Sequence, residues 1–236
     1  MENIFACKQN KTTSTLMSGY RGRIPEHLFD NVTNISKLSS MFNGCENIMP
    51  YRNGYSVVVT NEENKQETKY YPGIMYPRGL FSKLTNLKTL SKMFSYNNIW
   101  GLCVIESDMF GQIGKNVTSI ASLFEGCNFI RPTSHTVEQI ENGLFDSFGV
   151  LKDINGLFAL CINIALTKEI FTNTIHPWLT NVSNFMNATN LMRAMEVPEF
   201  WNWTYPPEEF SKCYAEVYPV PLNNDSIPEL YKMEII

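Results

Sequence analysis

Five stretches of this chain share one spacing of apolar residues, and that repetition constrains the fold more than any other feature. "LFDNVTNISKLSSMFNGCENI" (28–48) and "LFSKLTNLKTLSKMFSYNNI" (80–99) both place Leu-Phe thirteen residues before Met-Phe. Val32 then aligns with Leu84, Ile35 with Leu87 and Leu38 with Leu90. "MFGQIGKNVTSIASLFEGCNFI" (109–130) carries one extra residue before Asn116, and "LFDSFGVLKDINGLFALCINI" (144–164) needs no gap. "IFTNTIHPWLTNVSNFMNATNL" (170–191) is a fifth copy, stretched early and shortened late. A unit that is apolar on one face cannot stand alone, so the copies are expected to stack and complete one another's core.

Within a copy, Leu28, Val32, Ile35, Leu38 and Phe42 follow in steps of 4, 3, 3 and 4, which predicts one face of a helix. Thr33 or Asn34 would cap it, with counterparts Thr85, Asn116 and Thr180, and Gly44 and Gly126 would sit just past its end. The short apolar pieces that follow ("NIMP", "NIWGLCVI", "FIRP", "NIAL", "NLMRAM") read as short parallel strands. Measured from Phe42, Phe94, Phe124, Phe158 and Met186, the copies are 52, 30, 34 and 28 residues apart. The long interval holds "YSVVVTNEENKQETKYYP" (55–72), a β-branched run, a polar tip and a return run, which predicts a projecting β-hairpin within an insertion spanning about residues 51–76.

Cysteine usage is read against this register. Cys7, Cys45, Cys103, Cys127, Cys161 and Cys213 contain no C-x-x-C pair, which is poor for a zinc site and for a compact disulfide framework. Cys45, Cys127 and Cys161 occupy one repeat position, so each is expected to fill the same small core slot on successive turns, beside Phe42, Phe94, Phe124 and Phe158. A nucleophilic role is the weaker reading for them. His27, His135 and His176 have no second ligand at a metal-like spacing. "GQIGKNVTS" (111–119) lacks the glycine spacing of a phosphate loop and the hydroxyl residue directly after Lys115. Glu62-Glu63, Glu138-Glu141 and Glu208-Glu209 lie in polar stretches that read as solvated surface rather than as a glycosidase pair.

Bulk composition narrows the partner classes. The 236 residues are 44% hydrophobic, 13% aromatic and 18% charged, a folded profile with few charges outside. A net charge of -4 without a Lys/Arg run argues against a phosphate-backbone binder, so nucleic acid is not an expected partner. No run reaches the 18 or so apolar residues that span a bilayer. "MENIFACKQNKTTSTLMSGYRGR" has no basic-then-apolar leader or small-residue cleavage site, so classical secretion is not expected unless the chain is a mature fragment or is released by lysis within a virus particle.

Past residue 192 the register dissolves into a proline-rich segment with Phe200, Trp201, Trp203 and Tyr205 close to Trp178. Two readings stay open for it: a cap on the last repeat, or an aromatic docking surface made by Trp178, Trp201, Trp203 and Tyr205.

At "MFNGCENI", "LFEGCNFI" and "LFALCINI", each following a stretch such as "NVTNISKLSS" or "NVTSIASL", the sequence resembles the BspA-like leucine-rich-repeat family of bacterial surface proteins, whose repeats also occur in viruses of such bacteria. The resemblance covers about residues 24–191. Together with the repeats it leads to an expected α/β leucine-rich-repeat solenoid of about five irregular turns, with an N-terminal arm over 1–23 and a C-terminal cap or docking segment over 192–236. It implies a non-enzymatic module with no cofactor, binding other proteins or a host-surface glycan, in a virion or on an extracellular surface. An intracellular repeat adaptor is the first alternative, and a hydrolase with acids on a concave face is the second.

Overall fold

In a computed structural model of the chain, residues 22–32, 34–99, 103–129, 140–166, 170, 178–190 and 207–214 are described. The chain winds through stacked turns joined by parallel pairing. Lys37 pairs with Thr89, Thr89 with Ser119, Ser119 with Asp153, Asp153 with Asn181 and Asn181 with Glu209, so one position of every turn lies beneath the same position of the next. Two further columns run beside this one. β3 (Gly73–Ile74) pairs in parallel with β5 (Cys103–Val104), and Ile105 continues the column to Ile140. β4 (Asn98–Ile99) pairs in parallel with β6 (Asn128–Phe129), and Asn128 continues to Ile162.

The expected helices are not formed: no α-helix occurs among the described residues, whose longer helical segments are two short 3-10 pieces, Ser107–Met109 and Gly111–Asn116. Hydrogen bonding gives the reason. The amides of Leu90, Lys92, Phe94 and Tyr96 donate not back along their own chain but to the carbonyls of Ser119, Ala121, Leu123 and Glu125 on the next turn. Ile120, Ser122, Phe124 and Gly126 repeat this against Asp153, Asn155, Leu157 and Ala159. Amides between them close tight three-residue turns instead, Met93 on Leu90, Ser95 on Lys92 and Cys127 on Phe124. An α-helix needs every amide for its own i-4 carbonyl, and here alternate amides belong to the neighbouring turn.

This geometry needs left-handed residues at fixed places. Ser40, Lys92, Ser122, Gly156, Asn184 and Lys212 share one such position, and Gly44, Tyr96, Gly126, Leu160 and Ala188 share another four residues later. Gly44 and Gly126, expected as helix stops, are thus recurring corners inside a turn. The apolar residues between corners come three apart, as Phe81, Leu84, Leu87, Leu90 and Met93 do, because each tight turn returns a side chain inward after three residues. A step of three with an occasional four is close enough to 3.6 to imitate a helix face.

The core is one continuous cluster with two phenylalanine columns. Phe42, Phe94, Phe124 and Phe158 stack with centroids 5.8, 5.9 and 6.0 Å apart and nearly parallel rings. Phe29, Phe81, Phe110 and Phe145 stack beside them at 5.6, 5.8 and 6.4 Å. Phe185 and Tyr214 extend the first column with edge-on rings.

The stack also reaches further along the chain than residue 191. Val182, Asn184 and Met186 donate to the carbonyls of Glu209, Ser211 and Cys213, so residues 207–214 form a sixth turn inside the segment expected to be only a cap or docking piece. "EFSKCY" conceals it because the turn keeps only Phe210, Cys213 and Tyr214 of the apolar pattern.

The insertion contains an antiparallel hairpin, β1 (Tyr55–Thr60) with β2 (Gln66–Tyr71), paired from Tyr55 with Tyr71 to Thr60 with Gln66. Its tip is a tight turn in which Asn64 is left-handed and the Asn61 side-chain oxygen accepts from the amides of Glu63 and Lys65. Residues 73–76 have returned to the body, where Ile74, Met75 and Tyr76 are buried.

Candidate contact surface

The Lys37–Glu209 column builds a polar face. Thr89, Ser119, Asp153 and Asn181 each turn a side-chain oxygen onto the amide two residues on, at Ser91, Ala121, Asn155 and Ser183. Asx and Ser/Thr turns of this kind preset the left-handed residue that follows. Within one turn the Thr89 and Ser91 hydroxyls lie 2.7 Å apart, and across turns those of Ser91 and Ser119 lie 3.3 Å apart and Ser119 donates to Asp153 Oδ2 at 2.9 Å. Short, mutually bonded polar groups make this face flat and stiff. Lys88, Lys152 and Thr180 stand exposed along its margin.

A second feature lies at the left-handed corners. Tyr96 and Leu160 hold positive φ where Gly44 and Gly126 stand in other turns, a conformation that costs a residue with a Cβ about 1–2 kcal/mol. Both are exposed, at 38% and 45%, and Ile162 beside them is 48% exposed. The Tyr96 ring fills the space over Gly126, where an added Cβ would come within 2.3 Å of it, and its hydroxyl reaches Glu125 at 3.2 Å. The result is an apolar ridge along one edge of the stack, which sequence reading missed. The only signal for it was bulky residues at positions occupied by glycine in sister repeats.

Of the residues expected to make an aromatic docking surface, Trp178 is 59% exposed. Trp201, Trp203 and Tyr205 lie outside the described residues, as do Phe200, Cys7, Thr33, Glu138, His135 and His176. His27 is on the surface, paired with Asp30 at 2.8 Å. Glu62, Glu63, Glu141, Glu208 and Glu209 are all exposed. An acidic corner that the sequence did not suggest does form: Glu106 takes both guanidinium bonds of Arg78 at 2.7 Å, Asp108 lies 3.6 Å from Arg78, and Glu141 accepts the Ser107 amide at 2.6 Å. Burial and the neighbouring Glu106 raise the Asp108 carboxyl. With Glu106 engaged by the guanidinium and Glu141 by a backbone amide, the corner links neighbouring turns.

Cys45, Cys127 and Cys161 are buried in one column, which Asn97 and Thr189 complete in the second and fifth turns. The thiols have a task there: Cys127 donates to the Phe94 carbonyl at 3.1 Å, Cys161 to that of Phe124 at 3.0 Å, and the Thr189 hydroxyl to that of Phe158. The slot therefore selects a small side chain carrying a donor. Asn97 stands in that slot beside the buried Tyr76 hydroxyl, whose pKa burial raises well above its ordinary range. Lys115 lies in the 3-10 segment Gly111–Asn116, whose Gly114 is pressed against the Ser147 carbonyl, leaving no phosphate cradle.

Burial pushes the thiols of Cys103, Cys161 and Cys213 up, and that of Cys127 up to about 12. We expect Cys45, Cys127, Cys161 and Cys213 to resist labelling until the protein unfolds, and fast native-state labelling of them would contradict the packing. Because Cys127 ionises near 9.0 when released but near 12 when folded, the folded state binds more proton between those values. Its contribution is complete below pH 9 and declines as pH rises toward 12, by about 1.4 kcal/mol per pH unit for such a thiol. Denaturant titrations at stepped alkaline pH measure that slope.

No group of three or more His, Cys, Asp or Glu among the described residues is placed to hold a metal, and no helix there is long and apolar enough to cross a membrane. Comparison with protein-family models, with curated proteins and with solved structures finds no match for this chain.

Proposed function

We propose that the chain is a leucine-rich-repeat solenoid of the BspA-like kind, with tight turns in place of helices, and that it works by contact rather than by chemistry. It is a binding or structural protein of a virion or bacterial cell surface, engaging another protein or a surface glycan. The observation that carries this reading is the exposed ridge of Tyr96, Leu160 and Ile162, in which the large side chains of Tyr96 and Leu160 occupy left-handed corners that glycine would fill without strain. Local strain retained on solvent-facing side chains points to a use for those side chains, and the stiff ladder beneath holds them at fixed spacing.

Leu160→Gly separates contact from folding. It cuts the Leu160 side chain out of the ridge and relieves the left-handed corner, so thermal stability should hold or rise by about 1 kcal/mol. Binding of the purified protein to bacterial envelope fractions or printed glycans should fall at least tenfold. Unchanged binding by Leu160→Gly and Ile162→Ser, or wild-type protein that binds neither probe and is missing from purified virions by mass spectrometry, would sink the proposal.

A further inference from the structure

The hairpin leaves the body with both faces in solvent, Val58 being 63% exposed, and the outer edge of β1 pairs with no other strand among the described residues. The edges are chemically unlike. β2 carries Glu67 and Lys69, and charges of this sort keep an edge from recruiting further strands. β1 reads Tyr-Ser-Val-Val-Val-Thr, with no charge, proline or bulge to guard it.

Register decides which backbone groups β1 offers. The Asn61 amide donates to the Lys65 carbonyl, so residues 61 and 65 form a hydrogen-bonded pair. Alternation along an antiparallel ladder makes Val59–Glu67, Val57–Lys69 and Tyr55–Tyr71 the other bonded pairs. The amides and carbonyls of Ser56, Val58 and Thr60 therefore point outward. They form a self-complementary set: turned about a two-fold axis at Val58, the strand meets its own copy with Val58 opposite Val58 and Ser56 opposite Thr60. Those are the bonded pairs that the outward groups require.

We propose that β1 is a self-association edge through which two copies of this chain pair, antiparallel, about a two-fold axis at Val58. The four-stranded sheet so formed reads Lys69–Val57–Val59–Glu67 across each central row, with the last two residues from the second copy. Valines fill the middle and opposite charges end the row. Both outer edges are then β2, which the charges of Glu67 and Lys69 protect, so growth stops at two copies. This pairing stands apart from the contact role proposed above, since the ridge and the hairpin are separate elements.

Two six-residue strands make a small interface of the weak, transient class, so half-association is expected at about 10–100 µM. Sedimentation of the full chain over a concentration series should show a monomer passing to a dimer and no further. Val58→Lys sets like charges opposite each other at the axis and should weaken association at least tenfold, as should Val58→Asp. Mixing the two variants should restore a heterodimer, which a folding defect could not do. Thr68→Lys, the matching substitution on β2, should leave the dimer intact. A wild type that stays monomeric throughout the series overturns the proposal. So does an assembly indifferent to Val58→Lys, one abolished by Thr68→Lys, or a mixture of the two Val58 variants that fails to associate.

Discussion

Phe124→Ala is expected to lower stability by about 3–5 kcal/mol, the range for removing a buried aromatic ring whose site cannot collapse. Phe124 is fully buried and has a ring on each side, Phe94 at 5.9 Å and Phe158 at 6.0 Å, both within 12° of parallel. Its backbone is held as well, the amide by Leu157 and the carbonyl by the Cys161 thiol, so the neighbouring turns cannot close over the gap without breaking those bonds. Because each turn packs mainly on the two beside it, a defect in the third turn also weakens coupling between the halves of the stack. Urea unfolding should show a lower midpoint and a broadened or split transition. A loss below about 1 kcal/mol would mean that the ring does not pack as described.

Gly114→Ala is the second large effect, and Gly149→Ala is its control. A Cβ on Gly114 would lie 2.2 Å from the Ser147 carbonyl oxygen and 2.3 Å from its carbon. Those are backbone atoms, so the clash is relieved only by separating the 3-10 segment from the following turn. Forcing extra volume into such a contact costs about 1–3 kcal/mol or more. At Gly149 nothing lies within 4 Å of the added Cβ, so alanine there should be neutral or stabilise by about 0.4–1 kcal/mol through the unfolded chain. Thermal melts of the pair test this, and equal melting temperatures would refute the close approach at Gly114.

The inward-facing residues were legible in the sequence because the column is chemically monotonous. Leu-Phe and Met-Phe pairs mark two inward corners, and the recurring Cys45, Cys127 and Cys161 mark a third. Local conformation was not legible, because apolar steps of three and four serve a chain of tight turns as well as a helix face. What separates the two is where alternate amides go, and that is settled by the neighbouring turn, not by the residues themselves. Ser40, Lys92 and Tyr96 show no preference for positive φ on their own, so tertiary pairing set their conformation. The sixth turn was hidden because Pro207 and the sparse apolar set of 207–214 resemble irregular structure. The Arg78–Glu106 corner was hidden because its partners lie on different turns.

Parallel pairing of like positions also makes the length of this body a quantised quantity. Ser119 and Asp153 occupy equivalent sites 34 residues apart and meet their neighbours through the same amide-to-carbonyl pattern. A lineage can therefore lose or duplicate one whole turn and rejoin the cut faces in register, whereas an indel of a few residues must be absorbed at a bend. The hairpin insertion follows that rule: it leaves between turns and returns before the next begins. Relatives of this chain should then vary in reach by integral steps while the pattern of one turn stays fixed.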